Sequence, residues 1–292
     1  MTLALAWTRK IGTCEELIVA SDSRLSGGRN IDCCQKILAL PNGAFICFAG
    51  DTQFAYPLMQ QVSMAILSYG RAADRSMDIA EVRGYILKIF DRLLEAVSSS
   101  VRGRGQTTPD ATFLFGGYSW IQKRFSVWTI RYHEGRRCFV YDTPPRAAGG
   151  AVVVIAGDGD VKAEAKRRLM AGLRQRGISL RNDSTFGFDW EPFEILRDLL
   201  RESEDASNAV RTGASIGGAP QIMKVYQHMN CRPLGVYWPN KQTHQIFIGG
   251  RKLLGFEKPD VWILDPDSKI TSHVRISGNP PEPRNESLPG EG

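Results

Sequence analysis

The first fifty residues of this 292-residue chain hold a threonine, an aspartate, a lysine and a glycine at spacings that suit nucleophilic catalysis. Thr2 follows the initiator Met1, and a side chain this small normally permits removal of that methionine. Removal would leave a hydroxyl and a free α-amine on one residue, so the amine could accept the hydroxyl proton directly or through a water. An α-amine, whose ordinary pKa is about 7.7–8.0, is a better base near neutral pH than a lysine. The sequence therefore predicts Thr2 as a self-activating nucleophile.

Three further residues stand at the ends of predicted elements. Asp22 closes a predicted strand, Lys36 heads another strand fourteen residues later, and Gly50 follows after fourteen more, between a strand and a helix. A lysine buried near Thr2 would lower the pKa of the amine and stabilise charge on the hydroxyl oxygen. Asp22 would compensate the lysine, and the Gly50 N–H could donate to a developing oxyanion. Structural alternatives are a turn-stabilising ion pair between Asp22 and Arg24, a solvent-exposed Lys36 at the start of its strand, and a plain strand-to-helix turn at Gly50.

These residues lie in the segments VASDSRLSGG, KI and FAGD. The segments resemble the N-terminal part of proteasome β-type subunits and their bacterial relatives, including the HslV-type and Anbu-type proteases, which are N-terminal-nucleophile (Ntn) hydrolases. The resemblance implies that the family's nucleophile, aspartate, arginine, lysine and oxyanion glycine fall on Thr2, Asp22, Arg24, Lys36 and Gly50. It implies no cofactor and no metal.

The resemblance continues more weakly to about residue 226. FLFGG at 113–117 is similar to the family's central strand, IAGDG at 155–159 to a second turn, and TGASIGG at 212–218 to a late turn. Asp158 stands where the second turn usually carries a serine near the amine. Gly213 and Ile216 occupy the late turn's aspartate and serine positions, and the adjacent Ser215 could take the role of that serine after a shift of one residue. Asp158 and Ser215 are therefore the candidate accessory residues.

Hydrophobic periodicity predicts a mixed α+β chain without repeats or linkers. We expect a single domain over residues 1–276 and a disordered tail over 277–292, which is rich in Pro, Glu, Asn and Gly. Two blocks of strands interleaved with helix pairs suit two packed antiparallel sheets, and the resemblance implies the four-layer αββα sandwich of the Ntn-hydrolase fold. The predicted strands cover 2–7, 17–20, 36–40, 44–49, 111–116, 125–133, 138–141, 152–156, 221–226, 234–238, 245–248 and 261–264, and the predicted helices cover 52–69, 77–97, 161–175 and 192–204.

Composition argues against several other classes of protein. Six scattered cysteines without a C-x-x-C pair, and only four histidines, indicate reduced, mostly buried thiols rather than a zinc site. The net charge of +6 is mild, and the small basic clusters lack interleaved aromatic residues, so we expect no nucleic-acid partner. No apolar run is long enough to span a bilayer, and the N-terminus does not read as a secretory signal, so we expect a cytoplasmic protein without a membrane partner.

The leading hypothesis is a proteasome-like threonine protease that cleaves peptide (amide) bonds of a peptide or protein substrate through an acyl-enzyme on Thr2. The alternative is a catalytically inactive proteasome-like subunit that acts as an assembly or binding module. A third reading is hydrolysis of a small-molecule amide. The resemblance also implies a homo-oligomer, which the apolar residues of the predicted helices 52–69 and 77–97 could support.

Overall fold

The computed structural model describes residues 2–25, 30–98, 109–208, 216–228 and 230–275. Five α-helices and fourteen strands lie in these ranges. The helices are α1 (Thr52–Ser68), α2 (Gly70–Ala73), α3 (Ile79–Ser98), α4 (Gly159–Gln175) and α5 (Glu191–Asn208). The strands are β1 (Leu3–Ile11), β2 (Cys14–Ser21), β3 (Ile37–Ala39), β4 (Phe45–Gly50), β5 (Ala111–Ser119), β6 (Arg124–His133), β7 (Cys138–Asp142), β8 (Val153–Gly157), β9 (Gln221–Val225), β10 (Cys231–Tyr237), β11 (Ile246–Ile248), β12 (Arg251–Lys252), β13 (Asp260–Leu264) and β14 (Thr271–Arg275).

The strands form two large sheets. The nine-stranded sheet has the order β12-β11-β10-β9-β2-β1-β8, and β13 and β14 branch from it at β10. The five-stranded sheet has the order β3-β4-β5-β6-β7. All pairings are antiparallel except that between β10 and β13. The strand that begins at Leu3 therefore lies inside a sheet, between β2 and β8, where both of its edges are hydrogen-bonded.

Strand β1 is buried on both faces, and this explains its almost continuous apolar sequence. Leu3, Leu5 and Trp7 pack in one core cluster with side chains of α4 and α5. Ala4 and Ala6 point to the opposite face and pack in a second cluster with residues of the five-stranded sheet. Alternate residues of a strand point to opposite faces, so the two faces of β1 are as the sequence pattern predicts.

The five-stranded sheet uses its other face to bury a third cluster. Phe48 of β4 and Phe113 of β5 pack there against apolar side chains of α1 and α3, including Val62 and Ile86. The helical spacing of these side chains places them on one side of each helix. The junction of β4 with α1 and the start of β1 are therefore both anchored in packed cores.

The expectation of a four-layer αββα sandwich of the Ntn-hydrolase type is wrong. The described residues form a mixed α+β fold that is mostly sheet, with two large antiparallel sheets and five helices. Strands β10 to β14 extend the nine-stranded sheet and make it branched, since β10 pairs with β9, β11 and β13. The sequence pattern predicted these C-terminal segments only as short strands at the end of the fold. Periodicity within a strand does not indicate which other strands that strand pairs with.

Most of the individual elements were predicted correctly. The four predicted helices correspond to α1, α3, α4 and α5, and the predicted strands correspond to observed strands with small differences at their ends. The short elements α2, β12 and β14 were missed. The predicted tail, 277–292, lies outside the described residues. Within the described ranges, no helix is long and apolar enough to cross a membrane.

Candidate active site at the start of the first strand

Thr2 lies immediately before β1 and is held by groups from two neighbouring segments. Its backbone nitrogen donates to Oδ2 of Asp158 at 2.7 Å, and its carbonyl accepts from the Asp158 N–H at 3.2 Å. The next nitrogen, that of Leu3, donates to Oδ1 of Asp22 at 3.1 Å. Thr2 is almost fully buried, with 2% of its surface exposed. The two carboxylates therefore fix the backbone from which the hydroxyl projects.

Lys36 connects the Thr2 hydroxyl to a carboxylate. Its Nζ donates to Oγ1 of Thr2 at 2.8 Å and to Oδ1 of Asp22 at 2.9 Å. The side chains of Lys36 and Asp22 are both 0% exposed. A buried charge is costly unless it is paired and hydrogen-bonded, and this geometry meets both conditions. The structure thus brings together Thr2 and Lys36, which are 34 positions apart in the chain, and Asp22, which is 14 positions from Lys36.

Asp22 accepts hydrogen bonds at both of its oxygens. Oδ1 accepts from Lys36 and from the Leu3 N–H, and Oδ2 accepts from the N–H groups of Arg24 and Gly217 at 3.2 and 3.4 Å. Burial raises the pKa of Asp22 above its ordinary value, and the charge and hydrogen bond of Lys36, with the N–H groups of Leu3 and Arg24, offset only part of that rise. The carboxylate therefore depends on Lys36 and on the backbone donors to remain ionised in the core.

Gln221, at the first position of β9, positions Lys36 and was not singled out from the sequence. Its Oε1 accepts from the Lys36 N–H at 2.9 Å, and its Nε2 donates to the carbonyls of Asp22 and Cys34 at 3.0 and 2.7 Å. Gln221 is 2% exposed. A polar residue at the first position of the strand QIMKV was the available signal, but only the pairing of β2 with β9 shows what it contacts.

Arg24 lies beside the site and contacts a different carboxylate. Its Nε and Nη2 donate to the two oxygens of Asp32 at 2.7 and 2.8 Å, and its Nη1 donates to the carbonyl of Ile216 at 3.3 Å. A Cβ at Gly217 would lie 2.3 Å from the Arg24 Cζ, so a glycine is needed for the guanidinium to fit. These contacts give Arg24 the turn-stabilising role that was the structural alternative, with Asp32 rather than Asp22 as its ion-pair partner.

Gly50 ends β4, directly before Asp51, which is the N-cap of α1 and accepts from the Gln53 N–H at 2.8 Å. Gly50 has a φ of +106°, and a Cβ there would lie 2.2 Å from the carbonyl oxygen of Asp110. Both the backbone conformation and the close approach therefore require glycine. The strand-to-helix turn is as predicted, and the role of the Gly50 N–H as an oxyanion donor stays a prediction.

Asp158 occupies the N-cap position of α4 but makes no side-chain cap hydrogen bond to that helix. Its carboxylate is instead directed to the Thr2 nitrogen. The preceding Gly157 has a φ of +155°, and a Cβ there would lie 2.4 Å from the Thr2 carbonyl oxygen. The structure thus places the accessory candidate Asp158 at the nitrogen of Thr2. Ser215 and Gly213 lie outside the described residues.

Among the described residues, no cluster of His, Cys, Asp or Glu could hold a metal ion. All six cysteines are free, but only Cys47 is buried, so the expectation of mostly buried thiols is wrong. Cys14 and Cys33 are exposed because they lie at the β1–β2 turn and in the loop before Lys36. Burial raises the pKa of the Cys47 thiol to about 12, so this thiol is a poor nucleophile near neutral pH.

The arrangement can support attack by a hydroxyl. A cationic donor at hydrogen-bond distance from Oγ1 stabilises negative charge on that oxygen, and the low-polarity surroundings strengthen this effect. The carboxylate at the Thr2 nitrogen can orient either an amide N–H or a free ammonium group at that atom. No protein-family model matches the chain, and no curated protein matches it at a significant level.

Proposed function

We propose that the protein is an N-terminal threonine hydrolase that cleaves amide bonds through an acyl-enzyme on Thr2. The observation that carries this proposal is the fully buried Lys36 ammonium, 2.8 Å from Oγ1 of Thr2 and neutralised by Asp22. A buried lysine placed on a hydroxyl is costly unless the contact is used, since an apolar residue would fill the same space more cheaply. The proposal requires removal of the residue before Thr2, which frees the nitrogen that Asp158 now holds.

The reaction would proceed in two steps that share one set of groups. In the first step the α-amine accepts the Oγ1 proton, Oγ1 attacks the substrate carbonyl, and the C–N bond of the tetrahedral intermediate breaks as the departing nitrogen takes that proton. An ester between the acyl group and Oγ1 results. In the second step the amine deprotonates a water, which attacks the ester and returns the hydroxyl to Thr2.

Each neighbouring residue has a defined part in this scheme. Lys36 stabilises the charge that develops on Oγ1, and Asp22 holds the Lys36 ammonium in place. Asp158 orients the amine, since its Oδ2 lies 2.7 Å from that nitrogen. The oxyanion donor is assigned to the Gly50 N–H on the resemblance to proteasome β-type subunits. Arg24 has a positioning role through the turn that carries Gly217, whose N–H contacts Asp22.

The proposal extends to the surroundings of the reaction. We expect a peptide or protein substrate, a cytoplasmic location and a homo-oligomer, as the same resemblance implies. Thr2 is 2% exposed in the 292-residue chain, and removing the preceding residue can only uncover it further. Processing would therefore free the base on the residue that carries the nucleophile.

The test compares proteins that differ only at Thr2 or in what precedes it. Intact mass shows whether Met1 is removed, and hydrolysis of a mixed set of fluorogenic peptide amides gives the rate. A protein with a non-removable extension before Thr2 should be inactive while still folded, and so should Thr2→Ala. Thr2→Ser should keep part of the rate, because it retains the hydroxyl and the amine.

Thr8→Ala is the matched control, since Thr8 lies in β1, the strand that Thr2 precedes, and its hydroxyl accepts a structural hydrogen bond from the Val152 N–H at 3.0 Å. It should remain active. Equal rates for the extended and the processed protein would show that Thr2 is not the nucleophile. A processed protein that is inactive on every amide, with the site intact, would favour the inactive subunit instead.

A further inference from the structure

A cavity away from Thr2 is lined by three arginines. It has a volume of about 250 Å³ and lies between α3, β6 and the segment 143–146. Arg83, Arg124 and Arg146 line it together with the hydroxyl-bearing side chains of Ser126 and Thr143. None of the residues that line it belongs to the site around Thr2. The described residues that line it include no Asp or Glu.

The Arg83 guanidinium contacts two aromatic rings. Its Cζ lies 4.7 Å from the ring centre of Trp128 and 3.6 Å from that of Tyr141. Contacts of this kind between a guanidinium and aromatic rings restrict its position without neutralising its charge. Its Nε is buried, and no described residue accepts a hydrogen bond from it. A ligand in the cavity would therefore meet the terminal N–H groups of Arg83, a residue that lines it, rather than the buried Nε.

Arg146 is close enough to Arg124 for their charges to repel. Burial lowers the pKa of Arg146, and the Arg124 charge lowers it further, while Glu15 raises it. The Arg146 Nη1 and Nη2 donate to the neutral carbonyls of Gly150 and Phe125 at 2.9 and 2.6 Å. The Arg124 Nε donates to the neutral amide oxygen of Gln122 at 3.0 Å. These hydrogen bonds fix the two guanidinium groups without neutralising them.

We propose that this cavity binds a phosphate group, either as inorganic phosphate or as a small phosphate monoester. Three guanidinium groups and two hydroxyls match a doubly charged tetrahedral anion, which can accept from several donors at once. A single carboxylate would leave much of the positive charge uncompensated. The cavity is smaller than the usual range of about 300–1,000 Å³ for ligand pockets, which suits a compact anion. Binding would also relieve the repulsion between Arg124 and Arg146.

Titration calorimetry of the full chain with inorganic phosphate, at constant ionic strength, tests the proposal. Saturable binding is expected, and Arg83→Met should weaken it about 10- to 150-fold, the loss that one hydrogen bond to a charged group represents. Arg124→Met should have a similar effect, and because Arg124 is exposed this variant should fold even if Arg83→Met does not. Arg92→Met is the control, since Arg92 is an exposed arginine on the same helix as Arg83 and does not line the cavity.

Phenyl phosphate separates the two sources of the phosphate group. Tighter binding of phenyl phosphate than of inorganic phosphate would assign the cavity to a monoester, and the reverse order would assign it to the free ion. The proposal is overturned if neither compound binds saturably, if acetate binds as tightly as phosphate, or if Arg92→Met weakens binding as much as Arg124→Met. None of these measurements depends on hydrolytic activity, so they test the phosphate site independently of the function proposed for Thr2.

Discussion

Replacing Lys36 by methionine keeps the length of the side chain and removes its charge, so it isolates what the ammonium contributes. The ammonium is 0% exposed and makes hydrogen bonds of 2.8 Å to Thr2 and 2.9 Å to Asp22. Its loss leaves the Asp22 carboxylate buried with only backbone donors. Removing one partner of a buried ion pair typically costs about 3–5 kcal/mol, so the free energy of unfolding should fall by roughly that amount. Turnover should be lost as well, because nothing else among the described residues donates to Oγ1 from a cationic group.

The loss of stability should depend on pH in a definite direction. Lys36 lowers the pKa of Asp22 in the folded protein, and burial raises it, so Lys36→Met should raise that pKa further above the unfolded value of about 3.9. A carboxyl group with a raised folded pKa stabilises the fold fully below its unfolded pKa and loses that contribution as pH rises through the folded pKa. Urea unfolding, followed by tryptophan fluorescence, should therefore show a smaller deficit at about pH 5 than at about pH 8.

Two comparisons make the result specific. Adding Asp22→Asn to Lys36→Met removes the stranded charge and should recover most of the stability but none of the turnover. Lys224→Met is the matched control, because Lys224 is 7% exposed and paired with Glu16 at 3.3 Å, far from the proposed chemistry. Arg9 also contacts Glu16, so this variant should lose less stability and keep its activity. A Lys36→Met protein that is active and loses less than about 1 kcal/mol would refute the reasoning, since only exposed pairs are worth so little.

Two further predictions concern the amine and the assembly. In the processed protein, the Asp158 carboxylate beside the Thr2 nitrogen favours the ammonium form of the amine. Asp158→Asn should therefore lower the pKa of that amine, and the fall of kcat/KM on acidification should move down by about one pH unit. An unchanged acid side of the pH profile would show that the amine is not the base. We also predict a homo-oligomer that uses the exposed apolar side chains of Met64 and Leu67 on α1, which are 57% and 58% exposed. Light scattering at micromolar concentration should show an oligomer that Leu67→Asp dissociates, and a monomeric unmodified protein would contradict it.

The sequence was informative wherever the signal is local. The alternation of β1, the helical spacing of α1 and α3, and the turn at Gly50 depend on residues close together in the chain, and each was predicted correctly. Local signals also suggested that Thr2, Asp22 and Lys36 act together, through the resemblance of three short segments to one family. The same reasoning was wrong about the overall fold, because the pairing of β10 with β13 and the branching of the larger sheet join segments that no local pattern connects.

The tertiary structure decided which side chains meet. Arg24 and Asp22 are two residues apart, yet Arg24 pairs with Asp32, because Gly217 leaves room for the guanidinium on that side. Gln221 supports Lys36 from 185 residues away, through the pairing of β9 with β2. The sequence by itself determined the elements and the types of residue that could react. Only the folded chain shows that Lys36 is buried, that the Asp158 carboxylate contacts the Thr2 nitrogen, and that three arginines line one cavity. Burial and charge pairing depend on neighbours in space, which the order of residues does not specify.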